Sequence, residues 1–126
     1  MITNYKDLDV WNKSITLVEK VYVITKIFPE EEKFALTNQV RRSVISIPSN
    51  IAEGWGRKST KDYIRFLHIA LGSLYELETQ LIISEKINYI KDEDLQMIVL
   101  IIKDLSKMLT GLINNLKKKG NKNESI

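Results

Sequence analysis

The sequence predicts an all-α protein: an antiparallel up-down-up-down four-helix bundle with a proline-kinked second helix. Three observations carry this. Apolar residues recur at three- and four-residue steps in four separate segments, the spacing of one helical face. Pro29, the pair Gly54 and Gly56, and Gly120 punctuate the chain at segment ends. The connections left between segments are short, which favours antiparallel neighbours.

The first segment runs from about Asp7 to Phe28, with Val10, Trp11, Ile15, Val18, Val21 and Tyr22 on one face. Pro29 stops it, because a residue preceding proline is pushed out of helical geometry. Glu30, Glu31 and Glu32 then suit the positive end of a new helix. That second segment runs from about Glu32 to Glu53, with Val40, Val44, Ile47 and Ile51 in phase. Pro48 falls inside it, and a helical proline removes one hydrogen bond and bends the axis. The third segment opens at Ser59, an N-cap with Asp62 three positions on. It continues through Tyr63, Phe66, Leu67, Ala70, Leu74, Leu77 and Leu81 to about Lys86. Gly72 sits in its middle, where close approach of another helix would explain it. The fourth segment runs from Asp92, the expected N-cap, to about Lys118, and Gly120 closes it. Residues 1–120 read as one domain and 121–126 as a disordered, lysine-containing tail.

Composition narrows the chemistry. The chain has 126 residues, no cysteine and one histidine. Disulfide scaffolds, cysteine-ligated zinc and thiol nucleophiles are excluded. The longest strongly apolar run, Leu95 to Ile102, is far short of the ~20 residues of a membrane span. No signal-peptide core opens the chain. The expectation is a soluble cytoplasmic protein with no membrane partner and no cofactor.

The net charge is +3, unevenly placed. Residues 38–66 hold Arg41, Arg42, Arg57, Lys58, Lys61 and Arg65 against only Glu53 and Asp62. Lys117, Lys118, Lys119 and Lys122 make a second basic stretch. Such patches attract phosphate; for the tail, a solubilising role is the plainer reading.

Two helices carry more apolar surface than one stripe needs. Met97, Ile101 and Met108 lie off the main stripe of the fourth, and Leu17 and Ile24 beside that of the first. A helix apolar on several sides is covered on several sides. With too few helices to bury one centrally, the extra faces point to a homo-oligomer.

The second helix also bears a polar ladder: Asn38, Arg42, Ser46, Asn50, Glu53 and Arg57, at steps of three and four. Arg65, Gly72, Ser73, Glu76 and Thr79 form a facing stripe on the third. One reading is interhelical glue, Arg41 or Arg42 with Glu76 and Asn50 with Glu53. The other is a polar groove (Ser46, Asn50, Glu53, Ser73, Glu76) whose arginines hold phosphate. Composition alone favours the glue.

At this point the residues resemble a family. Leu8-x-Val10-Trp11-x-Lys13, Phe28-Pro29, Gln39-Val40-Arg41-Arg42-Ser43, Ser46-Ile47-Pro48-x-Asn50-Ile51-Ala52-Glu53-Gly54, Gly56-Arg57, Phe66-Leu67-x-x-Ala70-x-Gly72-Ser73 and Glu76-Leu77-Glu78-Thr79 form an ordered set. It is similar to the signature of bacterial four-helix-bundle proteins encoded by intervening sequences in 23S ribosomal RNA genes. The resemblance covers residues 7–86 most strongly. It implies a ring-like homopentamer without established enzymatic activity, whose molecular role is unknown and for which nucleic-acid binding is suspected. It also brings a distant similarity to the accessory variability determinants of diversity-generating retroelements, basic pentamers that bind nucleic acid and a reverse transcriptase. The matching positions are Arg41, Arg42, Ser46, Asn50, Glu53, Gly54, Arg57, Gly72, Ser73, Glu76 and Glu78.

Familiar catalytic patterns are missing. Di-iron bundles need Glu-x-x-His pairs, and His68 follows Arg65 instead. The spacing from Arg65 to His68 is also too short for the arginine–histidine motif of HEPN-type helical ribonucleases. Gly54-Trp55-Gly56-Arg57 lacks phosphate-loop spacing. Glu76 and Glu78 point about 200° apart on a helix of 3.6 residues per turn. The expectation is a protein that is not an enzyme. It binds nucleic acid, structured RNA above all, through Arg41, Arg42, Arg57, Lys58, Lys61 and Arg65. The alternative is a structural or protein-interaction module that recruits a partner protein, its arginines held in salt bridges. Trp55 is a candidate for base stacking or for covering the helix end.

Overall fold

A computed structural model describes residues 2–124, with side chains described as far as residue 120. Among the described residues there are four α-helices and no strand: α1 (Asp9–Thr25), α2 (Leu36–Trp55), α3 (Thr60–Lys86) and α4 (Asp92–Glu124). Each apolar segment of the sequence corresponds to one helix. The boundaries differ where backbone turns compete with periodicity. α1 ends at Thr25, before Phe28, because Phe28 N donates to Thr25 O at 3.1 Å and closes a turn. Phe28 still enters the core, from the loop, and its ring meets Tyr89 at 5.5 Å. Glu30–Glu32 do not begin α2 either. They make their own 3-10 turn, with Lys33 N bonded to Glu30 O, and α2 starts at Leu36.

α2 then runs through Pro48 as one element. Its in-phase residues Val40, Val44, Ile47 and Ile51 are all buried, three before the proline and one after it. Gly54, expected to end the helix, lies inside it, and Gly56 is the C-cap. Ser59 caps α3 as expected, its Oγ accepting from Asp62 N at 3.1 Å. The Asp62 carboxylate faces Arg65 at 3.7 Å, so only half of a capping box forms. The other end of α3 closes with Asn88 at φ 67°: Asn88 N bonds to Glu85 O and Tyr89 N to Ser84 O. That pair of bonds satisfies the last free carbonyls of a helix, and asparagine tolerates the left-handed backbone it needs. Asp92, expected as the N-cap of α4, is instead its first helical residue: Leu95 N bonds to Lys91 O, which puts Lys91 in the cap position. It continues past Gly120 to Glu124. Of the tail expected to be disordered, only the helical backbone of residues 121–124 is described; 125 and 126 lie outside the described residues.

The contacts give the topology. Gly54 meets Phe66, Ser46 meets Ser73 and Ser43 meets Glu76, in opposite order along α2 and α3. Arg41 of α2 reaches Thr25 near the end of α1, while Lys13 of α1 reaches Asp104 far along α4. Each helix packs on two others, α1 on α2 and α4, α3 on α2 and α4, with no diagonal pairing among the described residues. The helices alternate in direction around a four-helix bundle. Its core is aliphatic: Leu17 and Val21, Leu67, Leu74 and Leu77, Ile98, Ile102, Leu105 and Leu109, with the α2 residues above. Full burial of each contributes about 1.5–3 kcal/mol. Leu17 was expected on a face left over for another subunit. It is fully buried in the core of this chain, with α1 turned so that Leu17 and Val21 share the inner face.

Candidate functional site

The six basic residues singled out in the sequence divide among three places. Arg41 faces α1: its guanidinium lies 4.5 Å from the Tyr22 ring centroid and Nε donates to Thr25 Oγ1 at 2.9 Å. It is a packing residue, because a planar guanidinium covers an aromatic face while bonding at its edge. Arg42, one position on, lies exposed on the groove between α2 and α3. Arg57, Lys58, Lys61 and Arg65 lie at the far end of that helix pair, ~22 Å along the axis from Arg42 at 1.5 Å per residue.

The polar ladder does meet its facing stripe, through different partners than expected. Ser43 Oγ donates to Glu76 Oε1 at 3.1 Å, and Gln80 Nε2 donates to the same oxygen at 3.3 Å. Ser46 and Ser73 share a hydrogen bond of 2.8 Å, and Asn50 Nδ2 bonds to Ser46 O and Oγ. Neither an arginine–Glu76 pair nor an Asn50–Glu53 contact forms among the described residues. Ser43 sits on the buried side of α2 and reaches Glu76 first, while the Glu53 carboxylate is taken by Arg57 at 3.1 Å. With Phe34, Asn38, Gln39 and Arg42, these serines and Glu76 line a groove of about 370 Å³. The other residues of the facing stripe take no part in it. Gly72 has no atom within 4 Å of where its Cβ would be, which overturns the expected helix contact there. Among the described residues, Thr79 bonds only to its own helix, at Tyr75 O.

The end of the bundle that holds Arg57 to Arg65 is built closely. Gly54 lets Phe66 lie against α2. Trp55 packs edge-on to Tyr63 with ring centroids 6.2 Å apart, so it covers the helix end. The Tyr63 hydroxyl is buried without a hydrogen-bond partner, and burial pushes the phenol above its usual range. The Arg57 and Arg65 guanidiniums each lie 4.6 Å from the Phe66 ring centroid. Lys58 and Lys61 are exposed and, among the described residues, form no ion pair.

Sequence reading missed what joins this cluster. Tyr75 OH and Ser106 Oγ, 3.3 Å apart, set α3 and α4 in register. Followed along the antiparallel pair, that register brings Lys117 level with Ile64 and Lys119 level with Asp62. The lysine-rich stretch and the central basic stretch therefore share one end of the bundle. The opposite end carries Glu30, Glu31 and Glu32 on one loop and Asp92, Glu93 and Asp94 at the start of α4, joined by the Phe28–Tyr89 contact. There the Tyr89 phenol is pushed up by burial and by the Glu32 and Glu31 carboxylates. The molecule is electrically polarised from end to end.

Among the described residues, no three histidine or carboxylate side chains gather as metal ligands, and no helix is long and apolar enough to cross a membrane. His68 is exposed on α3. Fold and surface together define a small, polarised four-helix-bundle protein.

The chain belongs to the 23S rRNA-intervening sequence protein family, whose model matches residues 6–111. It is also similar to a crystal structure, at 1.70 Å resolution, of a protein with unknown function from the S23 ribosomal protein family of Bacteroides thetaiotaomicron. The two share 30% identity and a TM-score of 0.77, over 82% of this chain and 97% of that one. Comparison with curated proteins gives no match.

Proposed function

We propose that this cytoplasmic protein is not an enzyme and binds nucleic acid, structured RNA in particular, with the basic end of its bundle. The observation that carries this is the convergence of Arg57, Lys58, Lys61 and Arg65 with Lys117–Lys119 at one end, opposite an acidic one. Concentrated positive charge steers a polyanion and orients it, because the acidic end repels what the basic end attracts. Arg42 and the serine-lined groove extend the polar surface along α2. Arg41 contributes through packing.

The reading in which salt bridges between helices lock the arginines draws less support. Among the described residues, Arg57 and Arg65 pair only with carboxylates three or four residues away, and both pairs are exposed. Such pairs contribute roughly 0–1 kcal/mol and leave guanidinium donors available.

A second surface favours association with further protein. Val23, Met97 and Leu100 are 64%, 57% and 65% exposed near a groove of about 270 Å³ between α1 and α4. We read this face as the contact between copies of the chain in a homo-oligomer, a pentamer on the family resemblance. Repetition of the basic end would multiply weak phosphate contacts by avidity.

Fluorescence anisotropy of a labelled RNA hairpin, titrated with salt, tests the first reading. The expected result is tight binding at low salt, a log–log slope of several released counterions, and loss of affinity in Lys58→Glu/Lys61→Glu. Unchanged binding in that variant would overturn the basic-end assignment. Light scattering tests the second: Val23→Glu/Met97→Glu is expected to lower the particle mass, and an unaltered mass would remove that face from the assembly.

A further inference from the structure

Phe66 lies at the basic end with only 8% of its surface exposed, and two arginines cover it. The guanidinium carbons of Arg57 and Arg65 are each 4.6 Å from the same ring centroid, one approaching from the turn after α2 and one from α3 itself. A single aromatic ring thus holds both cations at a set separation, no more than twice that distance. That upper bound is comparable to the Debye length at ordinary ionic strength, about 8–10 Å, so screening leaves the two cations repelling each other. Glu53 and Asp62 offset part of that repulsion, and Lys58 and Lys61 add to it without partners among the described residues. An aliphatic side chain would cover Phe66 without this cost. The ion pairs also leave much of each guanidinium free. Arg65 meets Asp62 through Nε, which leaves both of its terminal nitrogens, and Arg57 meets Glu53 through Nη2 alone. Each guanidinium carries five donors. Charge-assisted bonds to phosphate oxygen span about 2.7–2.9 Å, so a shared phosphate requires the free nitrogens of both guanidiniums to be turned to one side of the Phe66 ring.

We propose that Arg57 and Arg65, held by Phe66 as their positioning residue, form a clamp for one phosphodiester group of a bound nucleic acid. This rests on the nucleic-acid reading above and adds where a backbone phosphate is gripped and by what geometry. It also separates the two arginines from Lys58 and Lys61, which act as diffuse charge. Stacking presets the planar forks, so little side-chain freedom is lost when the anion arrives.

The test compares the full chain with Arg57→Lys/Arg65→Lys, which keeps every charge and removes the planar, stacked forks. Anisotropy against a labelled RNA hairpin is expected to show affinity reduced by about tenfold with the salt slope nearly unchanged, since both lysines still neutralise phosphate. Affinity within twofold of the parent would overturn the clamp while leaving the basic-end reading intact. A parent protein that fails to bind RNA at low salt would overturn both. Phe66→Leu, with circular dichroism to establish that it folds, is expected to reproduce the lysine double variant's loss at the parent's net charge; parental affinity would remove Phe66 from the positioning role. Inorganic phosphate is the remaining probe. If it displaced RNA far beyond what chloride of equal ionic strength achieves, the clamp would belong to a free phosphate ion rather than to a nucleic-acid backbone.

Discussion

Gly54 and Phe66 set the approach of α2 to α3: a Cβ added at Gly54 would fall 2.8 Å from Phe66 Cβ and 3.0 Å from Tyr63 Cδ1. Phe66 Cβ is the root of its side chain and moves only with the α3 backbone. The same ring supports Arg57 and Arg65, so helix spacing and the geometry of the basic end are linked through one residue.

Gly54→Ala is therefore expected to lower stability by about 1–3 kcal/mol, the usual cost of overfilling a packed contact. Gly72→Ala is the control. Nothing lies within 4 Å of that position, so alanine should stabilise α3 by up to about 1 kcal/mol through helix propensity. Urea unfolding followed by circular dichroism measures both. Equal effects at the two glycines would contradict the packing described for Gly54, and a loss at Gly72 would mean that another chain covers it.

The neighbours Arg41 and Arg42 should behave oppositely. Arg41→Ala removes a stacked guanidinium and its bond to Thr25, and a loss of about 1–2 kcal/mol is expected. Arg42→Ala touches an exposed side chain and should change stability by no more than about 0.5 kcal/mol. Thermal melts of the two variants decide the matter. A large loss at Arg42 would revive the interhelical salt bridge that the sequence pattern first proposes.

Tyr63 gives a pH dependence with a definite sign. Its folded pKa is raised above the unfolded 10.0 by burial, so the folded chain holds the phenolic proton more tightly. The stabilising difference is fully present below about pH 10 and is lost as pH climbs through the folded value. Tyr63→Phe removes a buried hydroxyl that has no partner, so stability at neutral pH should hold or rise, by about 1 kcal/mol at most. Its decline above pH 10 should be shallower than the parent's. A clear loss at neutral pH would show that the hydroxyl is hydrogen-bonded in solution.

Much of the architecture was legible in the sequence, because helix periodicity and capping are local. The phases of Val40, Val44, Ile47 and Ile51, the Ser59 cap and the short connections were enough to define four alternating helices. The family signature lies on the same residues. What local patterns miss is which of several neighbours a side chain reaches. Arg41 and Arg42 are adjacent in the chain, yet 100° of helical rotation turns one toward Tyr22 and leaves the other in solvent. Leu17 lies beside a sequence stripe that is complete without it, and the face that α1 turns to the other helices makes it core. Gly54 and Gly72 are both glycines on helices, and only the distance to the next backbone separates their reasons. The gathering of Lys117–Lys119 with Arg57–Arg65 depends on the antiparallel register of α3 and α4, a relation between residues about fifty positions apart in sequence. The sequence by itself determined the helices and their order, since each depends on residues three or four apart. The tertiary structure alone decided which charges share a surface, because Coulomb interactions act through space, whatever the distance along the chain.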